Sequence, residues 1–144
     1  LCGAWWCGAT CIDGTPAGYK AFDFNGDNIK WIYKGCGHKT EYQFNAYVDP
    51  DQPGHIVANV WDYDPAWKVE YYEDGKKVCD MEQFTGTDMK ARELYKDPSS
   101  LKRNWVYAAR TENMFRAKKS EGAKKLEVRV TDRFGRVYTK AIER

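Results

Sequence analysis

The chain has 144 residues, the size of one domain with a single core, and leaves little room for a second independent domain. Apolar residues make up 42% and aromatic residues 15%, which excludes disorder and favours strands over a helical bundle. Net charge is only +2, but residues 1–88 carry 14 acidic against 7 basic side chains and residues 89–144 carry 16 basic against 7 acidic ones. Interleaved strands of opposite charge attract and cancel, and no basic stripe with regularly spaced aromatics points to nucleic acid.

Mean hydropathy is −0.77, and no apolar run reaches the roughly 20 residues of a membrane span. The sequence opens on Leu1 with no Met and no basic-then-apolar signal region, so the expectation is a segment of a longer polypeptide. Five cysteines, Cys2, Cys7, Cys11, Cys36 and Cys79, contain no CxxC pair, which disfavours a zinc site. A disulfide among the first three and buried free thiols are both open readings.

Tyr19 to Lys34 reads as two alternating strands around Asn25-Gly26, a β-hairpin with an expected type I′ turn. Tyr42, Phe44, Ala46 and Val48 recur at every second position, the period of a strand with one buried face. Ile56 to Tyr63 and Lys68 to Glu73 predict two further strands, and an Asp74-Gly75 turn returns the chain along Lys76 to Met81. In the segment from Ile56, apolar residues occupy both parities, so this strand is predicted to be covered on both faces. Asp88 to Lys96 interrupts the rhythm with good helix formers behind an Asp N-cap, and Asp97-Pro98 ends the short helix. Another turn at Leu101 to Asn104 precedes a strand expected at Trp105, Tyr107 and Ala109. Leu126, Val128 and Val130 define a half-buried strand, and Arg136 to Ile142 continues in extended form after Phe134-Gly135. Turn signals at intervals of about 8–12 residues predict an all-β, antiparallel sandwich, immunoglobulin-like or related, with one short helical insertion.

Catalytic motifs are missing. The two histidines, His38 and His55, lie in turn-like contexts without metal-ligand spacing and are expected to be solvated loop residues. No nucleophile elbow, phosphate-cradling loop or His-Glu-x-x-His occurs. Asp23-x-Asn25-x-Asp27 begins like a calcium loop, but Lys34 stands where the closing acid belongs. Asp49, Asp51, Asp62 and Asp64 are a lesser candidate for a hard cation at a sheet edge. Trp61, Tyr63 and Trp67, joined by Trp5 and Trp6, form an aromatic cluster that serves either a core and domain interface or a stacking platform.

Several of these segments, taken in order, resemble the C-terminal domain of bacterial calcineurin-like metallophosphoesterases. The likeness runs from Gly3-Ala4-Trp5-Trp6 and Asp13 to Tyr19 through Ala58 to Val69, the Asp74-Gly75 turn, Met114 to Ala117 and Val130 to Gly135. It implies that residues 1–12 trail from an upstream catalytic domain and that residues 13–144 are the sandwich. It also implies export of the parent protein to the periplasm or beyond. In that family the divalent metal pair is held by Asp-x-His, Gly-Asp, Gly-Asn-His and Gly-His-x-His motifs of the catalytic domain. None can be carried over, since Gly37-His38-Lys39 is followed by Thr40 and no Asp-x-His occurs. The resemblance therefore implies a noncatalytic accessory domain, with no cofactor or metal of its own. Its partner is the upstream catalytic domain, and Trp5, Trp6, Trp61, Tyr63 and Trp67 are candidates for the contact. The alternative from another class is a ligand- or carbohydrate-binding sandwich module. Docking predicts an apolar patch near the N-terminus, and ligand binding predicts a groove rimmed by polar groups.

Overall fold

A computed structural model describes residues 9–101, 103 and 105–143. The described strands pair antiparallel wherever their registers are defined, and the chain divides into two compact units. One unit joins the residues up to Gln43 to Thr85–Glu112, and the other joins Phe44–Phe84 to Asn113–Arg144.

β3 (Phe44–Val48), β4 (His55–Val60), β8 (Arg110–Lys118) and β7 (Glu82–Thr87) form one sheet in the order β3-β4-β8-β7; β3 and β4 lie in the second unit, and β7 and β8 each run across the division at Thr85 and Glu112. The other sheet holds β10 (Val137–Ile142), β9 (Leu126–Thr131), β5 (Lys68–Glu73) and β6 (Lys76–Asp80), in the order β10-β9-β5-β6. The chain changes sheet between β4 and β5, β6 and β7, and β8 and β9. This is the A-B-E-D and G-F-C order of an immunoglobulin-like sandwich, with β6 added as a C′ strand. Period-two patterning sets the core: Leu126, Val128 and Val130 are buried, while Glu127, Arg129 and Thr131 between them are half-buried. Residues 56–60 of β4 are all buried, as apolar residues on both parities predict. Ile56, Val57 and Val60 each contribute about 1.5–3 kcal/mol through removal from water.

Two turns hold the register. Asp74 (φ 48°) and Gly75 (φ 82°) both take left-handed backbone, the requirement of the type I′ turn, and Glu73 pairs with Lys76 across it. The Asp74 carboxylate also accepts the Lys125 N–H at 2.9 Å, tying this hairpin to the approach to β9. Between β9 and β10, buried Asp132 accepts N–H groups of Phe134 and Arg136 at 2.9 Å and the Arg136 Nε at 2.5 Å. The Thr-Asp-Arg-Phe-Gly stretch is thus a turn built around one carboxylate, with Gly135 at φ 80°.

The first unit contains β1 (Gly18–Asn25) and β2 (Asn28–Gly35), a separate two-stranded sheet. Asn25 pairs with Asn28, so Gly26-Asp27 are the turn residues, one position later than Asn25-Gly26. Gly26 has φ 59° and Asp27 does not have positive φ, which suits a II′ turn, where only the first central residue must be left-handed. At its base the hairpin is anchored: the buried Tyr33 hydroxyl donates to the Pro16 carbonyl at 2.5 Å, and Gln43 Nε2 donates to the Tyr33 carbonyl at 2.7 Å. A Cβ on Gly18 would lie 2.3 Å from the Lys34 carbonyl, so this close strand approach needs glycine. The helix α1 (Met89–Leu94) is capped by Asp88, which accepts from Lys90 N at 2.9 Å and Ala91 N at 3.2 Å. The Tyr95 hydroxyl at its end donates to the Thr10 carbonyl at 2.5 Å.

One further expectation is corrected, and one strand was not anticipated. The strand expected around Trp105 begins instead at Arg110, and Trp105 and Tyr107 are exposed. A 3-10 turn spans Pro98–Ser100, and the further turn expected at Leu101 to Asn104 lies partly outside the described residues. Strand β7 carried no alternation signal, because as an edge strand it leaves Glu82, Gln83 and Thr85 exposed.

Gly75→Val should lower stability by about 1–2 kcal/mol. A Cβ there meets nothing within 4 Å, so the cost is backbone strain alone. Denaturant unfolding checks this, and an unchanged midpoint would mean the turn relaxes to another type.

The Glu73 carboxyl offers a second check. Burial pushes its pKa up, but hydrogen bonds from Ser120 and Tyr71 outweigh burial and hold it below the usual value. A depressed folded pKa stabilises above the unfolded value, near 4.5, and that contribution is lost as pH falls through the folded one. Stability of Glu73→Gln should accordingly fall less between pH 5 and pH 3 than that of the parent sequence, as read by urea midpoints across that range of about two units.

Candidate functional site

Two surface features stand out, one in each unit. The first is the β1–β2 hairpin. Its register pairs Lys20 with Tyr33, Phe22 with Trp31 and Phe24 with Ile29, which places these side chains on one face. Asp23 and Lys30, Tyr19 and Lys34 take the other face. Every residue from 21 to 30 is exposed; Phe22 is 53%, Phe24 68% and Ile29 44% accessible. Phe22 lies 6.1 Å from Phe24 and 6.3 Å from Trp31, ring centre to ring centre, and the Lys20 ammonium stands 5.9 Å from the Trp31 ring. The face is a continuous exposed aromatic patch, the kind of surface that monomeric soluble proteins rarely leave uncovered.

The second feature is a half-open cleft of about 350 Å³ in the sandwich unit, where the chain passes from β6 to β7 through Met81. Tyr63, Trp67 and Phe115 supply its aromatic wall, and Tyr63 packs edge-on to Phe115 with ring centres 4.9 Å apart. Its rim carries Glu70, Lys77 and Asp80. Lys77 Nζ bridges the two acids, at 2.5 Å from Glu70 and 2.8 Å from Asp80. These hydrogen bonds, first that to Asp80 and then that to Glu70, push the lysine pKa up.

A β-bulge makes this bridge possible. Lys77 and Asp80 are three residues apart and would face opposite ways on a regular strand. Tyr71 pairs with Cys79 but Tyr72 with Lys77, so Val78 is looped out of the register and Lys77 swings to the side of Glu70 and Asp80. On the wall, Trp67 is 8% exposed and its Nε1–H has no hydrogen-bond partner. A buried donor left unpaired costs about 1–3 kcal/mol.

The sequence candidates are distributed as follows. Trp5 and Trp6 lie outside the described residues, as do Cys2 and Cys7. Trp61 is 1% exposed and fills the interior, whereas Tyr63 and Trp67 line the cleft. Of the four aspartates, Asp49 accepts the Asp51 N–H at 2.9 Å, and Asp64 accepts the Ala66 N–H at 2.8 Å and pairs with Arg133 at 3.0 Å. Asp49 and Asp64 thus serve turns and an ion pair. His38 is half-buried beside Tyr42, with ring centres 4.7 Å apart, and His55 opens β4 rather than lying in a loop. Cys36 and Cys79 are free thiols, and burial pushes the Cys79 thiol pKa up.

A phosphoesterase metal pair needs several Asp, His and Asn donors converging on one point. His38 and His55 belong to different units, and among the described residues no group of three His, Cys, Asp or Glu side chains could hold a metal ion. The donor set of the described residues does not fit such a pair. No described helix is long and apolar enough to cross a membrane.

Sequence reasoning missed the aromatic face of the hairpin, although its signal was present. Phe22 and Phe24 precede a two-residue turn by the same parity as Ile29 and Trp31 follow it, which forces all four to one side. The cleft left no such local signal.

No curated protein and no solved structure matches the chain significantly. The family described as the C terminal of calcineurin-like phosphoesterase matches residues 1–138, nearly the whole chain, and the chain belongs to that family of C-terminal domains.

Proposed function

We propose that the chain is a noncatalytic accessory domain that packs on the catalytic domain of its parent metallophosphoesterase and shapes access to that site. The observation that carries this reading is the exposed aromatic face of the β1–β2 hairpin, in a chain whose family is defined by its place after a catalytic domain. The occupant of the face is that upstream domain of the same polypeptide. Interdomain contacts bury roughly 600–1,500 Å² and are organised around a few aromatic anchors, which Phe22, Phe24 and Trp31 supply. Trp5 and Trp6 belong to the same proposed contact; Trp61 supports the interior instead. The metal pair belongs to the catalytic domain, and export of the parent is part of the reading on family resemblance alone.

Two outcomes are expected. The 144-residue chain, supplied with manganese, iron or zinc, should hydrolyse neither p-nitrophenyl phosphate nor bis(p-nitrophenyl) phosphate. Turnover that co-purified with the folded chain would overturn the noncatalytic assignment. In the intact parent, Phe24→Ser should weaken interdomain docking by about 2 kcal/mol, the scale of an interface anchor, and separate the melting of the two domains. The same change in the isolated chain should leave its melting temperature nearly unchanged, because Phe24 is 68% exposed there. Equal destabilisation of both, or of neither, would remove the hairpin from the interface.

A further inference from the structure

We propose that the cleft beside Met81 binds a neutral sugar, one monosaccharide unit in size, at a site distinct from the hairpin face. The volume, about 350 Å³, sits at the small end of the range of roughly 300–1,000 Å³ for small-molecule pockets. The chemistry of the lining selects the class. Tyr63, Trp67 and Phe115 offer aromatic surface to the C–H face of a pyranose ring, and Glu70, Lys77, Asp80 and Gln83 offer donors and acceptors to hydroxyls that do both.

Charge balance argues against the competing ligands. The lining holds two lysines, Lys68 and Lys77, and two acids, Glu70 and Asp80, so it has no net charge with which to hold a phosphate or an ammonium ion. Lys77 is committed to both carboxylates, which leaves it a positioned donor rather than an anion trap. Two details mark the place as built. The bulge at Val78 is the device that brings Lys77 onto the rim, and bulges concentrate where a strand must re-aim a side chain beside a site. The buried Trp67 Nε1–H lacks a partner, and a ligand hydroxyl would satisfy it only once the indole turns that edge into the cleft. The inference rests on this cleft alone and stands or falls apart from hairpin docking.

The test uses the 144-residue chain, isotopically labelled, titrated with methyl glucoside, methyl galactoside and methyl mannoside and, in separate arms, with inorganic phosphate and glucuronate. At least one neutral glycoside should produce saturable shifts centred on Tyr63, the Trp67 indole N–H and Lys77. Lys77→Met should weaken that binding by roughly tenfold, with the melting temperature preserved because the lysine side chain is 41% exposed. Trp67→Phe, which keeps an aromatic ring and removes only the donor and some area, should weaken it as well. Absence of saturable shifts with all three glycosides, shifts centred elsewhere, affinity unmoved by both substitutions, or tighter binding of phosphate or glucuronate than of any neutral glycoside would each overturn the proposal.

Discussion

Strand β4 can bury five successive side chains only because its backbone is satisfied along both edges. A buried N–H or C=O without a partner costs as much as the burial of an apolar side chain recovers, so a strand covered on both faces must be central in its sheet. β3 pairs one edge of β4 from Phe44 to Val48, and β8 pairs the other from Met114 to Lys118. The register of both neighbours follows from this requirement, and with it the identity of the inward residues Phe44, Ala46, Phe115 and Ala117. A slip of one residue on either side would expose the apolar set of the neighbour and bury its polar set.

The same constraint explains where the surface is free to be chemical. Strands β6 and β7 each pair along one edge only, and the chain passes between them in the single residue Met81. Edge strands tolerate bulges and charged side chains, and here both occur: Val78 is looped out of the ladder, and Lys76 and Lys77 stand exposed along β6. What guards an edge against unwanted pairing also furnishes the rim of the cleft. Lys77 serves both purposes at once. At the opposite margin of this sandwich, where β10 and β3 are the outer strands, Lys140 Nζ donates to Asn45 Oδ1, and that margin is latched.

How much was legible in the sequence depended on whether a residue's role was local. Strand β9 could be read outright, since Leu126, Val128 and Val130 bury one face by simple alternation. The Asp74-Gly75 turn and the Asp88 cap were equally plain, because their chemistry lies within four residues. The Gly26 turn was placed one residue early: Asn25-Gly26 has the composition of a I′ turn, but cross-strand pairing decides the register and sets Gly26 at the first central position. Edge strand β7 offered no pattern to read, and the exposed Trp105 and Tyr107 imitated a strand face that does not form. The aromatic cluster was found but could not be sorted. Trp61 is interior and Tyr63 is not, and the left-handed Asp62 (φ 55°) between them breaks the alternation on which any assignment of faces relied. The cleft draws on residues from Tyr63 to Phe115, so only the fold assembles it.

The hairpin arm poses a different physical question, because a two-stranded ribbon is marginally stable by itself. Its order must be supplied from the base, and the contacts there are of the right kind: the Tyr33 hydroxyl on Pro16, Gln43 on the Tyr33 carbonyl, and the close strand approach that Gly18 permits. From that anchor the paired backbone carries register outward to Gly26, while Phe22, Phe24 and Ile29 contribute little to holding the arm because water still reaches about half or more of each. Anchoring and presentation are thus divided between different residues. In the docking proposed for this face, the preset geometry of the arm lowers the ordering cost of the contact. Because of that division the face of the arm can change without loss of the fold, whereas a change at Gly18 or Tyr33 would disturb both.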